Sequence, residues 1–149
     1  MRHIFIIPIL LIVLISMVNL NAQNDKTAVK KIDAVQLKKM FDSKDFVLIN
    51  VHIPYAGEIP QTDLFIPFDQ LEKFKDQLPE QKDSKIVVYC RSGSMSDMFT
   101  RQLAERGYSN VYDLVGGMKA WQKAGFELLN KNSKKEQKQM KDKDCCKKN

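Results

Sequence analysis

The sequence contains few histidines and cysteines, the side chains that bind zinc and similar metal ions. It has two histidines and three cysteines in 149 residues, and one of the histidines, His3, lies almost at the N-terminus. Cys145 and Cys146 are adjacent to each other and distant from Cys90, so no zinc-type Cys/His spacing is present. We therefore expect no metal site.

Most of the chain also lacks an excess of positive charge. The net charge is +6, of which Arg2 supplies +1 and residues 130–149 supply +5 through eight lysines and three acidic residues. Residues 23–129 thus have no net charge, which argues against a nucleic-acid-binding fold. The segment 130–149 is rich in lysine and poor in apolar residues, which predicts a disordered tail.

No apolar run is long enough for an ordinary membrane-spanning helix. The longest, residues 4–18, contains Pro8 and has 15 residues, whereas a spanning helix needs about 20. It follows a short basic start and precedes a small residue, Ala22, as in a secretory signal. We predict a signal peptide over 1–22 and a periplasmic or secreted protein with no stable membrane span after cleavage. An uncleaved anchor over 4–18 is the alternative.

The rest of the chain alternates between strand and helix patterns and has the length of one domain. Continuous apolar runs predict strands at 46–51, 64–68, 85–90 and 110–114, with Pro67 marking the second as an edge strand. Strands that alternate with helices imply parallel crossovers. We therefore predict an α/β fold over residues 32–129, in three layers, with a central, mainly parallel sheet flanked by helices. A flexible segment over 23–31 is expected to precede it.

Four helices are predicted from caps and apolar spacing. Asp33 and Gln36 have the spacing of a capping box, Asp69 is the predicted cap of a helix that stops at Pro79, and Ser96 is the predicted N-cap of the helix 96–107. A further short helix is predicted over 118–125, ending at Gly125.

Cys90 lies between the strand 85–90 and the start of the next helix. Ligands of parallel sheets bind beyond the carboxyl ends of the strands, where helix N-termini present free N–H groups. Such a position favours the thiolate form of a cysteine. The small residues Ser92, Gly93 and Ser94 allow the backbone to curl into an anion-binding nest. The pattern predicts a cysteine nucleophile in an anion cradle, and the alternative is a small buried residue at a strand end.

The residues after Cys90 distinguish two enzyme classes. Phosphatases of the Cys-x5-Arg type need an arginine at position 96, which is serine here. The loop "CRSGSMS" (90–96) instead resembles the active loop of the rhodanese (sulfurtransferase) family, often C-R-S-G-x-R-S. The segment "NVYDLVGGMKAWQKAGFEL" (110–128) resembles the strand, Gly-Gly turn and Trp-bearing helix of that family, and "GEIP" (57–60) resembles its G-H-I-P element.

The resemblance implies a persulfide cycle on Cys90 without a metal or other cofactor. The thiolate would take a sulfane sulfur from a small anionic donor, and the N–H groups of residues 91–96 would stabilise the terminal anion. A thiol or a protein would accept the sulfur. Substrate contacts are therefore expected from Arg91, Ser92, Gly93, Ser94, Met95 and Ser96, with His52 as an accessory group near the site.

Four positions depart from the family pattern. Met95 stands where many members have a second arginine, His52 where arginine is usual, Asn50 where aspartate is usual, and Glu58 where histidine is usual. The loss of a cation predicts that thiosulfate is a poor donor and that a persulfide or polysulfide is preferred.

Other readings of these residues stay open at this level. Arg91 could orient a donor or lie along the surface as a solvated charge, and His52 could be a hydrogen-bonded structural residue. Cys145 and Cys146 could form a vicinal disulfide, bridge to another protein, accept sulfur from Cys90, or be incidental. The protein could accordingly be a catalytically weak rhodanese-fold binding module, or a thiol-disulfide partner that uses the tail cysteines.

Overall fold

The computed structural model describes residues 29–130. The predicted signal peptide and the tail cysteines lie outside the described residues, as does most of the segment 23–31. None of the helices within 29–130 combines the length and the apolar character needed to cross a membrane.

The described residues form a five-stranded parallel sheet with helices on both faces. The strands are β1 (Lys30–Ile32), β2 (Val47–Asn50), β3 (Leu64–Phe65), β4 (Ile86–Tyr89) and β5 (Val111–Leu114), in the spatial order β1-β5-β4-β2-β3. The α-helices are α1 (Ala34–Met40), α2 (Ser94–Glu105) and α3 (Gly117–Lys123), and 3-10 helices span Phe41–Ser43 and Leu71–Gln77. The predicted α/β fold is confirmed, and β3 is the edge strand that Pro67 indicated.

Each face of the sheet has its own apolar core. On one face Ile49 and Val88 pack with Phe99 and Leu103 of α2. On the other face the sheet packs with residues of α1 and α3, among them Leu37 and Trp121. All four residues of β4 are buried. Because β4 is covered on both faces, its sequence is a continuous apolar run instead of an alternating one.

The capping box at the start of α1 is confirmed. The Gln36 N–H donates to Asp33 Oδ1 at 2.8 Å, and the Asp33 N–H donates to Gln36 Oε1 at 2.9 Å. Two otherwise unpaired N–H groups of the helix start are thereby satisfied.

The predicted caps at Asp69 and Ser96 are wrong. The Gln70 N–H donates to the Pro67 carbonyl at 2.9 Å, so Asp69 lies inside a tight turn, and the following 3-10 helix has no side-chain cap. Helix α2 begins at Ser94, two residues earlier than predicted, because Gly93 adopts a left-handed conformation with φ +106° and turns the chain directly into the helix.

Strand β1 occupies the end of the segment that was predicted to be flexible. It pairs in parallel with β5 and places Lys31 beside Asp113. Only Ile32 of its three residues is buried. A strand of this length with one buried residue leaves no alternating apolar pattern in the sequence.

Candidate active site

Cys90 follows β4 directly and lies at the carboxyl end of the sheet. Its residue is 1% exposed and belongs to the apolar core beneath α2. The buried strand therefore fixes the position of the cysteine, and the residues that follow it turn the chain into α2.

The loop after Cys90 brings a backbone N–H group to the sulfur. The Gly93 N–H donates to Cys90 Sγ at 3.0 Å, and α2 begins at the next residue. The first N–H groups of a helix have no acceptor inside the helix, and its N-terminus carries a partial positive charge. Gly93 and the first turn of α2 thus form an environment that stabilises negative charge on Cys90. We refer to these residues, 93–96, as the cradle.

Helix α3 supports the loop from the other side. The Met118 N–H donates to the Cys90 carbonyl at 2.9 Å, and the Lys119 N–H donates to the Arg91 carbonyl at 3.0 Å. Gly117 lies so close that a Cβ there would overlap the Cys90 carbonyl oxygen and lie 2.9 Å from the carbonyl carbon. Gly117 also has φ +55°. The Gly116–Gly117 turn and the start of α3 therefore pack directly against the cysteine loop.

The predicted substrate-contacting residues differ in exposure. The side chains of Arg91, Ser92 and Ser94 are exposed, Met95 is half-buried against the core beneath α2, and Ser96 is fully buried. The Ser96 Oγ donates to the Gly93 carbonyl at 3.0 Å. The Ser96 hydroxyl therefore stabilises the loop, whereas the side chains of Arg91 and Ser94 face the solvent.

His52 lies beside this loop, two residues beyond the neighbouring strand β2. Asn50 pairs with Tyr89, and the Val51 N–H donates to the Tyr89 carbonyl at 2.9 Å. Residues 51 and 52 therefore lie next to the start of the Cys90 loop. His52 is buried, and its Nδ1 has no hydrogen-bond partner among residues 29–130. Burial lowers the pKa of His52, and the positive charge of Arg91 lowers it further, so the imidazole is neutral at pH 7.

Asn50 and Glu58, two of the positions that depart from the family pattern, form hydrogen bonds with the backbone of other segments. The Asn50 side chain donates to the Gly57 carbonyl at 3.1 Å and accepts from the His52 N–H at 3.0 Å, so it ties down the segment beside the site. The backbone of Glu58 pairs with Leu129 through hydrogen bonds of 2.9 and 2.8 Å. These contacts join the end of the described chain to the loop after β2.

A network of charged groups at the start of α2 was not found from the sequence. Lys31 Nζ lies 2.7 Å from Asp97 Oδ1 of α2 and 2.7 Å from Asp113 Oδ2 of β5. Arg101 Nη2 lies 2.7 Å from the other oxygen of Asp97. The i, i+4 spacing of Asp97 and Arg101 was the one part of this network visible in the sequence.

A family model, curated relatives and solved structures all relate this chain to the same family of proteins. A family model described as Rhodanese-like domain matches residues 26–124. A sulfurtransferase of Allochromatium vinosum is 30% identical over 105 residues, which cover 68% of this chain and 95% of that protein. The thiosulfate sulfurtransferase GlpE of Actinobacillus succinogenes is 41% identical over 46 residues, 31% of this chain and 41% of that protein. The solved structure of a rhodanese-related protein from Thermoplasma volcanium superposes with a TM-score of 0.57 at 25% identity, over 67% of this chain and 97% of that chain.

Proposed function

Because the chain belongs to the rhodanese-like domain family, we propose that it is a sulfurtransferase that carries sulfane sulfur as a persulfide on Cys90. The contact of 3.0 Å between the Gly93 N–H and Cys90 Sγ, at the N-terminus of α2, is the observation that carries the proposal. A preorganised donor at this point stabilises a sulfur anion before any chemistry begins.

The proposed reaction has two displacement steps. The Cys90 thiolate attacks the outer sulfur of a donor such as thiosulfate, an S–S bond forms, and sulfite leaves with the electron pair of the broken bond. The enzyme is then Cys90–S–S⁻. A thiolate acceptor attacks the outer sulfur, becomes a persulfide, and returns the Cys90 thiolate. Neither step needs a metal or a redox cofactor.

The backbone and the side chains of the loop have different roles in binding the donor. Gly93 and the N–H groups of Ser94, Met95 and Ser96 hold the terminal sulfur anion in the cradle. Arg91 is exposed and positively charged, so it attracts the anionic donor to the loop. His52 borders the site as an uncharged accessory group. Because position 95 is methionine, Arg91 is the one cationic side chain in the segment 90–96.

Intact-mass spectrometry tests the proposal directly. The reduced protein is incubated with thiosulfate and, separately, with polysulfide, and we expect a gain of about 32 Da, one sulfur atom, that dithiothreitol removes. The donor that loads the protein faster identifies the substrate class. If the folded, reduced protein gains no sulfur from either donor, the sulfurtransferase proposal is wrong and a binding module remains.

Replacing Met95 by arginine should improve thiosulfate as a donor. The long arginine stem can cover the apolar surface that Met95 covers while its guanidinium reaches solvent. A second cation beside a divalent anion should raise kcat/KM for thiosulfate about tenfold, or about 1.4 kcal/mol. Steady-state kinetics with thiosulfate and with polysulfide would measure the change.

The matched control for this variant is Val35→Arg. Val35 is 49% exposed on α1, which covers the opposite face of the sheet, so the net charge changes equally without a new cation at the loop. We expect Val35→Arg to behave as the parent protein. If Met95→Arg leaves thiosulfate kinetics unchanged, the missing cation does not explain donor preference.

A further inference from the structure

Lys31 joins the helix that forms the cradle to two strands of the sheet. Its Nζ lies 2.7 Å from a carboxylate oxygen of Asp97 in α2 and 2.7 Å from a carboxylate oxygen of Asp113 in β5, while its backbone belongs to β1. The lysine side chain is 46% exposed, whereas that of Asp113 is 3% exposed. The partly exposed Lys31 ammonium therefore compensates the negative charge of the buried Asp113 carboxylate.

The sheet register explains why Lys31 reaches this place. Lys31 pairs with Asp113, Asp113 pairs with Val88, and Val88 packs beneath α2 on the same face as Cys90. Because paired residues of parallel strands point to the same face, the side chain of Lys31 lies on the side of the sheet that α2 covers. Val88, the third residue of this row, lies two positions before Cys90 in the chain.

The position of Asp97 creates an electrostatic difficulty for the cradle. The Asp97 N–H donates to the Gly93 carbonyl at 3.0 Å, so Asp97 lies one helical turn from the residue whose N–H contacts Cys90 Sγ. An uncompensated carboxylate in the first turn of α2 would oppose a thiolate or persulfide on Cys90, since like charges repel.

Both carboxylate oxygens of Asp97 are matched by cations. Lys31 and Arg101 each approach one oxygen at 2.7 Å. The pKa of Asp97 is lowered, mainly by its hydrogen bond to Lys31, and Asp97 is therefore ionised at neutral pH. Burial opposes the charge of Lys31, but hydrogen bonds to Asp113 and Asp97 outweigh it and raise the lysine pKa. Lys31 and Asp97 thus form a charged pair at neutral pH.

We propose that Lys31 is a positioning residue for sulfur transfer, which anchors the first turn of α2 to the sheet and cancels carboxylate charge that would otherwise weaken the cradle. This role rests on the proposed function of Cys90, because it concerns the stability of a sulfur anion there. Lys31 does not contact the reacting atoms. It acts through Asp97 and through the position of α2.

The test compares Lys31→Met with Lys31→Arg and Lys30→Met in the full chain. Two rates are measured at pH 7: alkylation of Cys90 by iodoacetamide, followed on the tryptic peptide of residues 86–91, and persulfide formation. We expect both rates to fall about three- to tenfold in Lys31→Met and to recover largely in Lys31→Arg. Lys30 bonds to Asn110 and Tyr112 instead, so Lys30→Met should match the parent protein.

The pH dependence separates this role from a purely structural one. Because a thiol ionises more completely as the pH rises, the deficit of Lys31→Met in alkylation should be smaller at pH 9.5 than at pH 7. A folded Lys31→Met protein that alkylates at the parental rate at pH 7 overturns the proposal, as does a deficit that is equal at both pH values.

A second variant covers the case in which Lys31→Met does not fold. Lys31→Met combined with Asp113→Asn removes the buried carboxylate together with its cation, and should fold while still leaving Asp97 without Lys31. Parental alkylation in this double variant overturns the proposal. Alkylation needs no sulfur donor, so failure of the parent protein to form a persulfide would refute the sulfurtransferase function and leave this comparison valid.

Discussion

Replacing Cys90 by serine should abolish persulfide formation, and sulfurtransferase turnover should fall by about three orders of magnitude or more. Serine has nearly the same shape, and its oxygen can accept the Gly93 N–H that now contacts the sulfur. A hydroxyl, however, is not a thiolate at neutral pH and does not form a persulfide. Burying it in the core costs about 1–2 kcal/mol of unfolding free energy, so the variant should remain folded.

The chain contains two other cysteines, which supply the matched control. Cys145→Ser combined with Cys146→Ser leaves Cys90 as the sole thiol and should keep both the gain of about 32 Da and its removal by dithiothreitol. If the adduct survives in Cys90→Ser and disappears in the tail variant, the nucleophile is in the tail. Partner binding that persists in Cys90→Ser, with no adduct in the parent protein, would favour the binding module.

Replacing Gly117 by alanine should have the second-largest effect. The new Cβ would overlap the Cys90 carbonyl oxygen, which belongs to the backbone and cannot rotate away. With φ +55°, the residue would also be in a conformation that side chains disfavour. We expect a loss of about 2–5 kcal/mol in unfolding free energy from overpacking and backbone strain together. Denaturant titration would measure it.

Activity should fall further than stability alone would require. To make room, the loop that carries Cys90 must move away from α3, and a displacement of about 1 Å at a reacting atom can cost about a hundredfold in rate. Gly107→Ala is the matched control, because Gly107 has φ +85° but nothing within 4 Å of a new Cβ. It should lose about 1–2 kcal/mol and keep its activity. Equal activity in the two variants would show that the close contact at Gly117 is unimportant.

The core of the fold was predictable because its signals are local. The strand in 85–90 and the capping box of Asp33 and Gln36 can each be recognised from neighbouring residues alone, and both are present in the structure. Strand β1 has no such evidence, since two of its three residues are exposed and its stability comes from pairing with β5, about 80 residues away. The predicted cap at Asp69 failed because a turn closed by the Pro67 carbonyl competes with it.

The same distinction applies to the candidate site. Cys90 could be located from the sequence because a strand end and a helix start flank it within a few residues. The contact of Gly117 with the Cys90 carbonyl and the approach of Lys31 to Asp97 depend on how distant segments pack. Sequence spacing contains no information about such contacts until the order of strands in the sheet is known.

The order of the strands also has a consequence for how the protein is made. Strand β1 is near the beginning of the described chain. Among the described strands it pairs only with β5, which is the last of them to leave the ribosome. Strands β2, β3 and β4 can pair while synthesis continues, but Lys31 can meet Asp113 only after residue 113 has emerged. The nascent chain therefore exposes the β5-facing edge of β4 until late in translation. We therefore expect the contact of Lys31 with Asp113 to form late, after β2, β3 and β4 have paired.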